Sequence, residues 1–150
     1  MSAGAGGLLQ SWQFWAGLAA VSAALTSLFA KLGVQGLQPD VATFLRTLVV
    51  VLCLAVILLG NGQLQGLALA NLPRASLLAL VLSGLATTAS WICFFRALQL
   101  GPVARVAPID KLSVVLVALL GVIVLGEQLS WRSWLGVALI ALGGVLVALP

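Results

Sequence analysis

Histidine and tyrosine are absent from this 150-residue chain, cysteine occurs only twice, and seven Lys and Arg stand against three Asp and Glu. Without histidine or a Cys-x-x-Cys pair, the chain has no donor set for a transition-metal site. With no histidine and only dispersed acids, it also has no nucleophile–base set and no catalytic carboxylate pair, so it is not read as an enzyme and no cofactor is expected. Charged residues make up 7% of the chain, against about 25% in soluble domains. That scarcity, with 63% hydrophobic residues, identifies an all-α integral membrane protein. The net charge of +4 is carried by residues set singly at loops and helix ends. It makes no basic patch for nucleic acid, and the cations read instead as topology signals. Cys53 and Cys93 each lie inside an apolar run, where a free thiol behaves as a small hydrophobe. Core packing is expected of them, not a disulfide.

What is present is a succession of long apolar runs. Residues 1–11 are rich in Gly, Ala and Ser and read as a frayed tail. Five transmembrane helices are expected at 12–32, 41–59, 75–98, 103–125 and 131–149. The first lacks a charged leader and is too long for a cleaved signal peptide. Its Trp12 and Trp15 suit an interfacial belt. Ala16, Ala20, Ala24 and Ala19, Ala23, Ser27 recur at four-residue spacing, which lets helices approach closely or lines a solute path. Asp40 is placed to cap the second span. Between the second and third, residues 60–66 read as a turn and 67–73 as a short interfacial helix. The third span contains a small, polar stretch from Ser83 to Trp91. Its hydroxyls either bond their own helix carbonyls or line a wet cavity. Leu100-Gly101-Pro102 reads as a stop and restart, with Gly101 in a left-handed turn and Pro102 opening the next helix. The fifth span starts at Trp131 or Trp134 and carries Gly136, Gly143 and Gly144 as a small packing face.

The fourth span carries the most information. The apolar run 112–126 alone gives a helix about 22 Å long, short of a bilayer core about 30 Å thick. The span therefore starts earlier and takes Asp110 and Lys111 roughly 10 Å inside its start. Charges at that depth face protein or water. Pro108, two residues before Asp110, is expected to kink or loosen this segment. Arg46 is a second such charge, because a helix starting after it would keep only 13 residues and would not span. It is drawn into the membrane or snorkels to its edge.

Alternation of the spans puts Lys31, Asp40, Arg46, Arg96, Arg105, Asp110 and Lys111 on one side, and Arg74, Glu127 and Arg132 on the other. The bias of five cations to two makes the first side cytoplasmic, with the N-terminus outside and the C-terminus inside. Arg46 and Asp110 share a depth, and buried charges pair. Asp110 is expected to be neutralised by Arg46 or by Lys111. Lys111 is the poorer partner inside a helix, where neighbours diverge by about 100°. The cluster reads either as a structural ion pair or as a substrate or proton-coupling site. The candidate site residues are Asp110, Lys111 and Arg46 for charge, with Thr87, Thr88, Ser90 and Trp91 for hydroxyl and aromatic contacts. Glu127 reads as a solvated loop carboxylate.

The stretch FFRALQLGPVARVAPIDKLSVVLVALLGVIVLGEQLSWRSWLGVALIALGGVLVAL, residues 94–149, resembles the EamA-like domain of the drug/metabolite transporter superfamily. The resemblance rests on the Ala97-Leu98-x-x-Gly101-Pro102 turn, the Pro-containing start of the fourth span, its Leu125-Gly126-Glu127 end and the Gly-rich fifth span. AKLGVQGLQPDVATFLRT and APIDKLSVVLV are similar to the short, single-repeat branch of bacteria and archaea. The resemblance implies one five-helix repeat over residues 12–150 in a bacterial or archaeal cytoplasmic membrane, with helical hairpins around a central cavity. It implies transport of a small organic solute or metabolite of unknown identity by alternating access. Typical members carry two such repeats, inverted relative to each other. A single copy therefore implies a homodimer, antiparallel if it imitates the two-repeat fold, which requires dual topology. A different reading is a non-transporting membrane subunit that assembles with another carrier or a membrane enzyme.

Overall fold

A computed structural model describes residues 11–63 and 73–149 of the chain. The expected frayed tail (apart from Ser11) and most of the expected interfacial helix at 67–73 lie outside the described residues. Among the described residues six helices run in order: α1 (Trp12–Gly33), α2 (Pro39–Gly60), α3 (Arg74–Leu100), α4 (Val103–Asp110), α5 (Ser113–Leu125) and α6 (Trp131–Ala148). Among the described residues five stretches are long and apolar enough to cross a membrane: α1, α2, α3, Val103–Leu125 (α4 with α5) and α6. No strand occurs among the described residues. Few side chains are buried, while most of the Leu, Val and Ile on the helices are exposed. A helix apolar on all sides is suited to lipid, and a helix satisfies its backbone groups internally.

The chain divides into two compact units. One contains α1, α4, α5 and α6. Here α4 packs against α6 and α1, and α5 packs against α6. The fourth span is not one helix. Pro108 cannot donate a backbone bond, and α4 ends two residues after it. Lys111 and Leu112 bridge to α5 through the tighter i→i−3 bonds of a 3₁₀ turn: Leu112 N–H to Ile109 O, Val114 N–H to Lys111 O and Val115 N–H to Leu112 O, each 3.0 Å. At the far end, Gly126 adopts φ 69°, a left-handed stop that glycine takes without strain. Ser130 caps α6, its Oγ accepting from the Ser133 N–H at 3.2 Å.

The other unit contains α2 and α3, packed together through Ala42, Phe94, Phe95 and Leu98, with Val34 in the preceding turn. That turn is set by Gly36 at φ 78°. It is held by Gln99 of α3, whose Nε2 donates to the carbonyls of Val34 and Leu37.

Several expectations are corrected. Asp40 does not cap α2. Pro39 opens the helix, Gln38 holds the cap position without a side-chain bond, and Asp40 sits in the first turn. There the helix dipole still favours its charge. Gly101 is extended, at φ −136° and ψ 166°, and not left-handed. Pro102 explains this, since the residue before a proline is pushed out of the helical region. Cys53 and Cys93 are free thiols but exposed on their helices, not packed in a core.

Candidate functional site

Two grooves hold most of the residues singled out in the sequence. The first lies between α2 and α3 and has a volume of 760 Å³. Arg46, Thr87, Thr88 and Trp91 line it, together with Asp40, Thr43, Thr47 and Ser83. Ser90 is exposed on α3 and is not part of this lining. Ser83, Thr87 and Trp91 follow at four-residue spacing, as do Gly84 and Thr88, and share one face; Ser90, seven residues after Ser83 and three after Thr87, borders that face without entering the lining. The same signal was available for Asp40, Thr43 and Thr47, at i, i+3 and i+7 on α2, which sequence reasoning missed.

Arg46 makes no ion pair among the described residues. Its guanidinium carbon lies 3.3 Å from the centre of the Trp91 ring, a cation–π contact. Trp91 is itself fixed by an edge-on contact with Phe94 at 5.6 Å and a tilted one with Phe95 at 5.9 Å. Three of the four threonine hydroxyls in the lining are occupied by their own helices: Thr43 Oγ1 donates to Pro39 O at 2.8 Å, Thr47 Oγ1 to Thr43 O at 2.8 Å and Thr88 Oγ1 to Gly84 O at 2.9 Å. Such bonds make a hydroxyl inexpensive inside a span.

The second groove, of 830 Å³, lies among α1, α4 and α6. Both alanine rows of α1 line it, with Ser27, Ala107, Pro108 and Gly144. Ser27 Oγ donates to Ala23 O at 2.9 Å, so the floor is apolar apart from Lys111 at its border. Lys111 Nζ is 3.3 Å from Asp110 Oδ2. Lys111 is thus the recorded partner of Asp110, although adjacent residues diverge in an unbroken helix. Asp110 ends α4 and Lys111 is its C-cap, with a backbone still right-handed at φ −70° and ψ −9°, and the long lysine side chain reaches back to the carboxylate. Both side chains of the pair are accessible, 57% for Lys111 and 36% for Asp110, so the pair is not a sealed internal bridge. Among the described residues no three acids or thiols cluster as a metal site would require.

Glu127 is exposed, and its backbone N–H donates to Gly121 O at 3.1 Å. Its carboxylate folds over Gly121, where an added Cβ would meet Oε2 at 2.8 Å. The Leu-Gly-Glu sequence is thereby seen as a helix stop with its side chain laid back over the last turns.

Comparison with known proteins adds a family and a relative. Residues 10–149 match the model of the EamA-like transporter family. A protein of Sinorhizobium sp. described as "Uncharacterized transporter in cobO 3'region" is 54% identical over 139 residues, covering 93% of this chain and 97% of that relative. No solved structure matches the chain.

Proposed function

Because the chain belongs to the EamA-like transporter family, and is a membrane transporter in that general sense, we propose that it is a secondary transporter of a small organic solute, working as a homodimer by alternating access. One observation carries the choice of site. On two largely apolar spans, the polar residues Arg46, Ser83, Thr87, Thr88 and Trp91 converge on a single groove of 760 Å³. That volume suits a small ligand. Polar and ionisable groups inside a span mark a solute or ion path by default. The dimer reading is supported by exposure. Thr87 and Thr88 line the groove yet are exposed in the single chain, and a second copy would shield them from lipid. Alternating access would then be rocking of one five-helix repeat against its mate.

In this reading Asp110 is the coupling carboxylate. It stands where the fourth span is broken, and its side chain and that of its partner Lys111 are both accessible in the single chain. The test is flux in vesicles that contain only the purified chain, with labelled carboxylic acids, amines and sugars supplied in turn, with and without a pH gradient. Wild type should move at least one class. Asp110→Asn should lose flux or its response to the gradient while remaining folded. An Asn variant with normal flux and an unchanged gradient response removes the coupling role. A silent wild-type chain that copurifies with a fixed partner would instead establish a non-transporting subunit.

A further inference from the structure

We propose that the α2–α3 groove selects by charge: Arg46 takes the carboxylate of a small organic acid, and organic cations are barred because Arg46 already covers the face of Trp91. This rests on the transporter reading and names the substrate class for the same groove. A guanidinium is a cation with five N–H donors in a flat fork. With its carbon 3.3 Å from the ring centre, the fork lies on the ring, and its N–H bonds point sideways. Among the described residues Arg46 has no ion pair and no hydrogen bond. The ring therefore holds the charge but leaves the donors unmet. A bidentate carboxylate meets such donors, and the charge-assisted pair is stronger than the stacking contact.

The surrounding groups point the same way. Thr43, Thr47 and Thr88 have their hydroxyl hydrogens on helix carbonyls. Ser83 and Thr87 line the groove with hydroxyls that have no bond to a described residue. The hydroxyls of Ser83 and Thr87 can donate or accept, whereas Arg46 is donor-only and carries the charge, so the charged contact on offer to a solute calls for an anionic acceptor. Asp40 is the acid in the lining, and it lies at the start of α2, six residues before Arg46. It makes no ion pair with Arg46 within 4 Å, and it repels an anion from that end of the groove towards the arginine. Trp91 offers an aromatic face of the kind that binds ammonium ligands. Phe94 and Phe95 fix the ring, and Arg46 occupies it, so an incoming cation meets a covered face and a like charge.

The test is equilibrium dialysis of the full chain in nanodiscs of zwitterionic, net-neutral phosphatidylcholine, with radiolabelled benzoate and benzyltrimethylammonium as probes. Wild type should bind benzoate and not the cation. Arg46→Gln should weaken benzoate by at least about tenfold, the loss of one charge-assisted pair, and should gain binding of the cation. A gain shows that the variant is folded. Arg46→Gln with Trp91→Ala should abolish the gain. Equal benzoate affinity in wild type and Arg46→Gln overturns the proposal, as does wild-type binding of the cation at the affinity of the variant. If benzoate is not bound and only added phosphatidylglycerol is retained, Arg46 serves a lipid phosphate and the proposal falls. Flux separates this from the parent reading. A chain that moves some other solute in vesicles but fails here is a transporter without this filter, whereas one that neither binds nor moves any solute removes both.

Discussion

A methyl group added to Gly144 would sit 3.0 Å from the carbonyl oxygen of Pro108 and 3.3 Å from Leu112 Cδ2. Gly144 is buried on α6, and Pro108 lies where α4 is about to end. The two helices thus approach backbone to side-chain-less backbone at the broken point of the fourth span. A carbonyl oxygen cannot move aside as a flexible side chain does. Gly144→Ala should therefore destabilise by about 1–3 kcal/mol through overpacking. Gly143, its neighbour, has nothing within 4 Å of an added Cβ, and Gly143→Ala should be stabilising by up to ~1 kcal/mol from helix propensity. Thermal unfolding of both variants in one detergent checks this, and equal shifts would remove the close-approach account.

A similar contrast applies at the end of α5. Gly126 needs φ 69°, so Gly126→Ala should cost about 1–2 kcal/mol for a left-handed alanine. Gly121 meets only the carboxylate end of Glu127, which can swing into solvent, and Gly121→Ala should cost well below that. Unfolding midpoints ranking the two in the opposite order would show that the Glu127 contact, and not the turn, is what the motif protects.

The membrane spans were legible because apolar run length is a one-dimensional signal, and the helix interior needs no distant partner to be recognised. The break in the fourth span was legible in part. Pro108 announced it, but the tight turn through Lys111 and Leu112, and with it the Asp110–Lys111 pair, depended on where the helix stopped. Gly101 was misread because a glycine after a helix has two common fates, and Pro102 decides between them. In the candidate site, Arg46, Thr87, Thr88 and Trp91 stood out by being polar in apolar surroundings. Their meeting in one groove did not, since the sequence does not say which face of α2 meets which face of α3. Ser90 was included for chemistry alone and is not in the groove lining. The stacking of Arg46 on Trp91 joins residues 45 apart in sequence, beyond the reach of any local pattern.

The turn before α2 gives a third prediction. Gln99 Nε2 holds the carbonyls of Val34 and Leu37, and the turn has otherwise one short bond of its own, Leu37 N–H to Val34 O at 3.3 Å. Gln99→Leu keeps the side-chain bulk and removes both donations. Residues 34–38 should then exchange their amide hydrogens several-fold faster, about what loss of one ordinary hydrogen bond implies, while the middle of α3 keeps its protection. Unchanged exchange at 34–38 would show that Gly36 and the packing of Val34 hold the turn unaided.

The orientation of the chain can be argued again from the observed positions of its cations. Five basic residues against two fixed the crowded side as cytoplasmic. Two of the five lie deeper inside a span than the other three. Arg46 is within α2, stacked on Trp91, and Lys111 lies inside the fourth span, paired with Asp110. The positive-inside bias acts through cations in short loops and at helix ends, so the pair at Asp110 and the stacked guanidinium count for little. What remains is Lys31, Arg96 and Arg105 against Arg74 and Arg132, close to balance. The chain should therefore insert in both directions, with the two orientations of comparable size, as an antiparallel homodimer requires. Tags at each terminus, probed in native membranes with a membrane-impermeant label, measure this directly. Adding one lysine beside Arg132 should tip the populations measurably, because a balanced bias is sensitive to a single charge. One population with the C-terminus cytoplasmic, indifferent to that lysine, would mean that Arg46 and Lys111 do act as topology signals. It would also exclude a self-made inverted pair, leaving a parallel dimer or an oppositely inserted partner to complete the path.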